Sequence, residues 1–169
     1  MKKTKKLIVG NWKMNPESLD EARKIAGDVK RAASKISRTN VVLCPPFVYL
    51  SALSGVSAKS IFLGAENANA ERGGSLTGEV SFSQLYQFGV RFVILGHSER
   101  RKMGETDEIV NKKVKSVVTD GMTAIVCIGE SVRDKNGEYF NFIRGQLTHS
   151  LREVNKKFLD RLVIAYEPI

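Results

Sequence analysis

Phe92-Val93-Ile94-Leu95-Gly96-His97-Ser98-Glu99-Arg100-Arg101 sets an apolar run directly against a polar one. The first four residues are continuous in their apolarity rather than alternating. That is the pattern of a strand buried on both faces of a parallel sheet. After Gly96 the character changes, and Ser98 and Glu99 can open a short helix. A histidine at such a helix start meets the positive end of the backbone dipole, which disfavours its charged form. The neutral ring of His97 can then donate a hydrogen bond. The stretch thus predicts a buried strand whose C-terminal end carries chemistry.

The same construction recurs along the chain. Leu7-Ile8-Val9, Val41-Val42-Leu43, Ile61-Phe62-Leu63, Ala124-Ile125-Val126 and Leu162-Val163-Ile164 are further short, β-branched, continuous runs. Longer amphipathic stretches separate most of them. Ser18 to Lys35 places Leu19, Ala22, Ile25, Ala26 and Val29 on one helical face. Thr106 or Asp107 can cap a helix carrying Ile109, Val110, Val114 and Val117, and Glu138 to Phe158 reads as another long helix. Strand–helix alternation with about six strands predicts an α/β fold. The 169 residues suit a single domain spanning 1–169. No GxGxxG or GxxxxGK[ST] follows the first strand, so a nucleotide-binding sheet has no support. The alternative is a (β/α)₈ barrel, whose catalytic residues sit at the C-terminal ends of several strands. Polar residues do follow the apolar runs: Asn11 and Lys13, Glu66 and Asn67, His97 and Glu99, Glu130, and Glu167. Asn67 to Gly78 is too long for an ordinary turn, and long loops in compact domains are usually functional.

Composition narrows the class. Hydrophobic residues make up 42% and charged residues 27%, ordinary values for a globular protein. No apolar run approaches the ~20 residues of a membrane span. The lysine-rich start, Met1 to Lys6, leads into an apolar patch too short for a secretory signal, so a cytoplasmic protein without membrane contact is expected. Cys44 and Cys127 lie far apart in apolar stretches, outside any CxxC or Cys/His cluster. They are expected to be reduced, half-buried thiols, with no metal site. The net charge of +9 is scattered over Lys2 to Lys6, Lys30 to Lys35, Lys112 to Lys115, Lys156 and Lys157. No aromatic residues interleave with these as a stacking platform requires, so no nucleic-acid partner is expected. Attraction of a phosphorylated small substrate is compatible with the charge.

The strand ends carry a resemblance. Gly10-Asn11-Trp12-Lys13-Met14-Asn15 closes the first strand, and Gly96-His97-Ser98-Glu99-Arg100-Arg101 the fourth. Cys127-Ile128-Gly129-Glu130 closes the fifth and Ala165-Tyr166-Glu167-Pro168 the sixth, while Thr77-Gly78-Glu79-Val80-Ser81 lies in the third loop. In this order they resemble the signature blocks of the triosephosphate isomerase family, over essentially the whole chain. The resemblance implies a proton shift between two carbons of a triose phosphate, interconverting dihydroxyacetone phosphate and glyceraldehyde 3-phosphate through an enediol, without a cofactor. Such chemistry needs a base beside the carbon, a donor to the carbonyl oxygen and a cation for the anion. The resemblance assigns Glu167 as base, His97 as electrophile and Lys13 as the cation, with Asn11 also binding substrate. Glu99 and Ser98 support these groups, Glu99 as partner of Lys13. Thr77 and Glu79, with the loops around Phe47 and Arg100, are implied at a dimer interface. Glu130 and Cys127 are expected to give structural support only.

A (β/α)₈ barrel typically takes ~250 residues. The expectation is therefore an incomplete TIM barrel of about six βα units, with strands seven and eight missing. The family's mobile lid and phosphate-cradling loops belong to the part beyond Glu167-Pro168. The chain is accordingly expected to be a weakly active or inactive isomerase. The alternative is a folded, self-associating barrel fragment, at least dimeric, without catalytic activity.

Overall fold

The computed structural model describes residues 5–168. Met1 to Thr4, with Lys2 and Lys3 of the basic start, and Ile169 lie outside the described residues. In chain order the elements are β1 (Lys6–Asn11), α1 (Leu19–Ser34), β2 (Thr39–Cys44), α2 (Phe47–Leu53), β3 (Ile61–Ala65), α3 (Phe82–Gln87), β4 (Val90–Leu95), α4 (Ser98–Lys102), α5 (Asp107–Thr119), β5 (Thr123–Ile128), α6 (Tyr139–Ser150) and β6 (Leu162–Tyr166). Short 3₁₀ turns occupy Ser54–Val56 and Lys156–Arg161. The six strands form one parallel sheet in the order β1-β2-β3-β4-β5-β6. Six parallel strands alternating with helices make a curled half-barrel, the incomplete TIM barrel that the apolar runs predict.

Continuous apolarity is explained by two separate cores. Val41, Leu43, Leu63, Val93, Leu95 and Val126 face outward and pack against Ala26, Leu53, Leu85, Val110 and Val114 of the helices. Their neighbours Val42, Cys44, Ile94, Ile125 and Cys127 face inward, with Val9, Phe62, Phe92 and Val163 packed on them. Gly64 opens this inner layer: a Cβ there would stand 2.5 Å from Cys44 Sγ and 2.7 Å from Val42 Cγ1. The free thiols Cys44 and Cys127 are fully buried rather than half-buried. Burial pushes the Cys127 thiol up to about 11 and the Cys44 thiol upward as well, so both are inert at neutral pH.

The caps follow the sequence. Ser18 Oγ accepts the Glu21 N–H at 3.2 Å and starts α1, and Thr106 Oγ1 accepts the Ile109 N–H at 3.3 Å and starts α5. Two expectations need correction. Ile109, assigned to the apolar face of α5, is exposed, and Lys113 takes a buried place on that face. The long helix expected over Glu138 to Phe158 stops at Ser150. Glu153 adopts φ 57°, and Asn155 Oδ1 accepts the Lys157 N–H at 3.0 Å to begin a separate 3₁₀ turn. Leu151 and Val154, between the helix and this turn, and Phe158 within it pack against the core. Their spacing imitates a helical face although the backbone has left the helix.

Candidate active site

Because all strands run parallel, their C-terminal ends share one rim, and every polar strand-end residue gathers there. Between the ends of β1, β3 and β4 lies a cleft of about 220 Å³ lined by Asn11, Lys13, Met14, Phe47, Glu66, Asn67, His97, Glu99 and Arg100.

At the end of β1 the chain turns sharply. Lys13 holds φ 55°, and its N–H is anchored on Asn11 Oδ1 at 3.0 Å. The chain after β1 is thus a left-handed turn, in which the Asn11 side-chain amide oxygen fixes the lysine backbone. A non-glycine residue in this region costs about 1–3 kcal/mol and persists where the surroundings enforce it. Lys13 Nζ then crosses to β4's far end and pairs with Glu99 Oε1 at 2.7 Å. The hydrogen bond and charge of Glu99 hold the Lys13 ammonium above its ordinary range, and the same hydrogen bond holds Glu99 below the usual carboxylate range. Both groups are therefore charged at neutral pH.

His97 caps α4. Its Nδ1 accepts the Glu99 N–H at 3.3 Å, so that nitrogen carries a lone pair and the ring proton sits on Nε2. Nε2 lies 3.8 Å from Glu167 Oε2. The imidazole is mostly enclosed, with 12% of the side chain exposed, against 47% for Glu167. Glu167 leaves β6 with its N–H on Ile128 O at 2.9 Å. It lines a crevice of about 20 Å³ together with Ser98, Gly129 and Arg101. Lys13, Glu99, His97 and Glu167 thus form one connected chain of groups across the rim.

Arg100 and Phe47 stand on the cleft wall. Thr77 and Glu79 do not reach it; both are exposed in the third loop, where Glu79 Oε2 accepts from Asn69 Nδ2 at 2.8 Å. Glu130 is buried and accepts from Tyr166 Oη at 2.9 Å and Arg133 Nε at 3.0 Å, tying the end of β5 to β6.

Several supporting residues have no assigned role in the sequence. Glu105 is buried, takes the Gly96 N–H at 3.2 Å and pairs with Lys113. Lys113 Nζ also donates to Asn67 Oδ1 at 2.9 Å. Arg101 donates from Nε to Gly96 O at 2.7 Å and from a terminal nitrogen to Cys127 O at 3.3 Å, so it clamps the ends of β4 and β5 around His97. A lysine among Val110, Val114 and Val117 is the visible signal, since a buried cation requires a buried acid. Gly129 permits the approach of Glu167: a Cβ there would stand 2.1 Å from the Glu167 carbonyl oxygen. Glu66 Oε1 is buried without a hydrogen-bond partner among the described residues. Burial, with the charge of Glu99 adding to it, pushes the Glu66 carboxyl up to about 7, the Lys13 backbone N–H pulling the other way.

Comparison with known proteins agrees with this arrangement. The family model for triosephosphate isomerase matches residues 6–169. The chain is 43% identical over 166 residues to a triosephosphate isomerase of Clostridium botulinum (strain Loch Maree / Type A3), covering 96% of this chain and 66% of that one. It is 44% identical over 171 residues to a triosephosphate isomerase of Alkaliphilus oremlandii, covering 98% of this chain and 67% of that one. It thus spans about two thirds of the length of the curated relatives it matches. A match of this length, with the strand-end blocks gathered on one rim, means that the chain belongs to the triosephosphate isomerase family.

Proposed function

We propose that the chain interconverts dihydroxyacetone phosphate and glyceraldehyde 3-phosphate by proton transfer through an enediol. The single observation that carries this is the orientation of His97. With Nδ1 accepting from the backbone, Nε2–H is the remaining donor, and it points to the side where Glu167 stands at 3.8 Å. A base and a neutral donor on one side of a cleft are what enolisation needs. Glu167 takes the proton from carbon and returns it to the neighbouring carbon. His97 donates to the carbonyl oxygen on which charge develops. Lys13, fixed by Glu99, holds the substrate anion, and Asn11 holds Lys13. Glu99 and Ser98 position the two reacting groups. No cofactor takes part in this scheme.

Among the described residues, Lys13 and Arg100 are the cations on the cleft wall. We therefore infer weak substrate binding and slow turnover by the 169 residues alone. In this reading residues 1–169 act as one domain, the N-terminal three-quarters of a TIM barrel, in the cytoplasm. No described helix is long and apolar enough to cross a membrane. The test is a coupled interconversion assay with Glu167→Gln beside the unaltered chain. Activity should be confined to the unaltered chain, and equal rates would overturn the assignment.

One observation favours self-association alongside this. Met14, Val48 and Met103, on the segments that carry the site, are 91%, 80% and 80% exposed, and an apolar patch left open to water marks an interaction surface. We infer a homodimer through these segments, with Phe47, Thr77, Glu79 and Arg100 at its interface. Sedimentation should show dimer or larger, and a stable monomer at micromolar concentration would count against it.

A further inference from the structure

At the opposite rim of the sheet lies a larger groove. It occupies about 530 Å³ and is lined by Lys5, Lys30, Lys35 and Lys59, with Ala33, Ile36, Ala58 and Ile61 among its apolar wall residues. Lys5 precedes β1, Lys35 follows α1, and Lys59 precedes β3, so the lysines come from several elements that meet only in the fold. Among the described residues, no acidic side chain lines the groove. Several basic side chains elsewhere are paired with acids, as in Lys13–Glu99, Arg72–Asp120, Arg101–Asp107 and Lys113–Glu105. None of the groove lysines makes an ion pair among the described residues. Lys30 Nζ donates to Gly55 O at 3.2 Å, which fixes its position without neutralising it.

The C-terminal dipole of α1 accounts for one or two of these cations. It does not account for Lys5 and Lys59, which lie just before strands. Like charges held around one concavity raise its potential and concentrate anions there. The volume is that of a small-molecule site, with an apolar floor and a polar rim. A polyphosphate chain carries the matching density of negative charge.

We propose that this groove is a binding site for a polyphosphate chain, carried on a nucleoside or free. The groove lies a strand's length, ~20 Å, from the cleft at the other rim. It is therefore separate from the proposed isomerase site and does not depend on it.

The experiment titrates the protein with ATP, inorganic tripolyphosphate and, at matched ionic strength, sulfate, following backbone amide shifts. The expected result is saturable shifts at Ser37 and Ser60 with either polyphosphate, in preference to Asn11 and His97. In Lys35→Glu/Lys59→Glu the affinity should fall about tenfold or more, while the isomerase rate is unchanged. ATP binding more tightly than tripolyphosphate assigns the apolar floor to the nucleoside. Equal affinity assigns the site to the phosphate chain alone. Shifts that do not saturate, that sulfate reproduces, or that the charge-reversed variant retains would overturn the proposal.

Discussion

Replacing Glu66 by glutamine should stabilise the protein increasingly as pH rises from 4.5 to 7, and fully above that. Glu66 sits at the end of β3 on the cleft wall, with one carboxylate oxygen buried and unpartnered. Its carboxyl is pushed up to about 7 from an ordinary 4.5. At pH below 4.5 the group is protonated folded and unfolded, and the stability it permits is fully present. Between 4.5 and 7 the unfolded chain releases the proton while the folded chain keeps it, so stability falls as pH rises. Above 7 both states are ionised and a constant penalty remains. That penalty is about 3 kcal/mol without screening, and the group's partial exposure reduces it to about 1–2 kcal/mol. Glutamine has the same shape and no charge, so it removes the penalty. Urea unfolding at pH 5.0 and 8.5 reads the effect. With a slope of roughly 2 kcal/mol per molar urea, the midpoint of Glu66→Gln should rise by about 0.5–1 M at pH 8.5 and by about a quarter of that at pH 5.0. An equal gain at both values, or a loss at pH 8.5, would refute the reasoning, because a lost or gained contact is indifferent to protonation.

Further outcomes follow from the supporting residues. Gly129→Ala should lower turnover about 100-fold with secondary structure retained, because the new Cβ displaces the Glu167 backbone; an unchanged rate by steady-state assay would show that Glu167 does not need this approach. Lys113→Met should cost about 1.5–3 kcal/mol in chemical unfolding, since it removes the nearest cation from the buried Glu105 and leaves it Arg100 Nε at 3.4 Å and the Gly96 N–H. Adding Glu105→Gln to it should recover part of that loss, and a double variant weaker than the single one would contradict the pairing.

Much of this was legible in the residues themselves. The β strands announced themselves because a sheet with cores on both faces demands unbroken apolar runs, and Val41-Val42-Leu43 supplies one residue to each core in turn. That Lys13, His97 and Glu167 share one rim was legible because a parallel sheet delivers strand ends to one rim whatever their separation in sequence. The left-handed turn at Lys13 was not, since no glycine marks it and the enforcing contact is the side chain of Asn11. The end of α6 was hidden for a related reason: Leu151, Val154 and Phe158 keep helical spacing while leaving the helix. Glu66 stands out in the sequence as a polar residue at a strand end, but its significance lies in a missing partner, which only three dimensions reveal.

The central claim is that Glu167, beside His97 Nε2–H, moves a proton at a substrate carbon. Deuterium incorporation tests it most directly. Dihydroxyacetone phosphate is incubated in D₂O with the chain and with Glu167→Gln, and carbon-bound deuterium is followed by NMR. The account predicts slow, saturable incorporation by the unaltered chain and a loss of about 10²–10⁴-fold in the variant. No incorporation above the uncatalysed rate, or incorporation that survives the substitution, would contradict it.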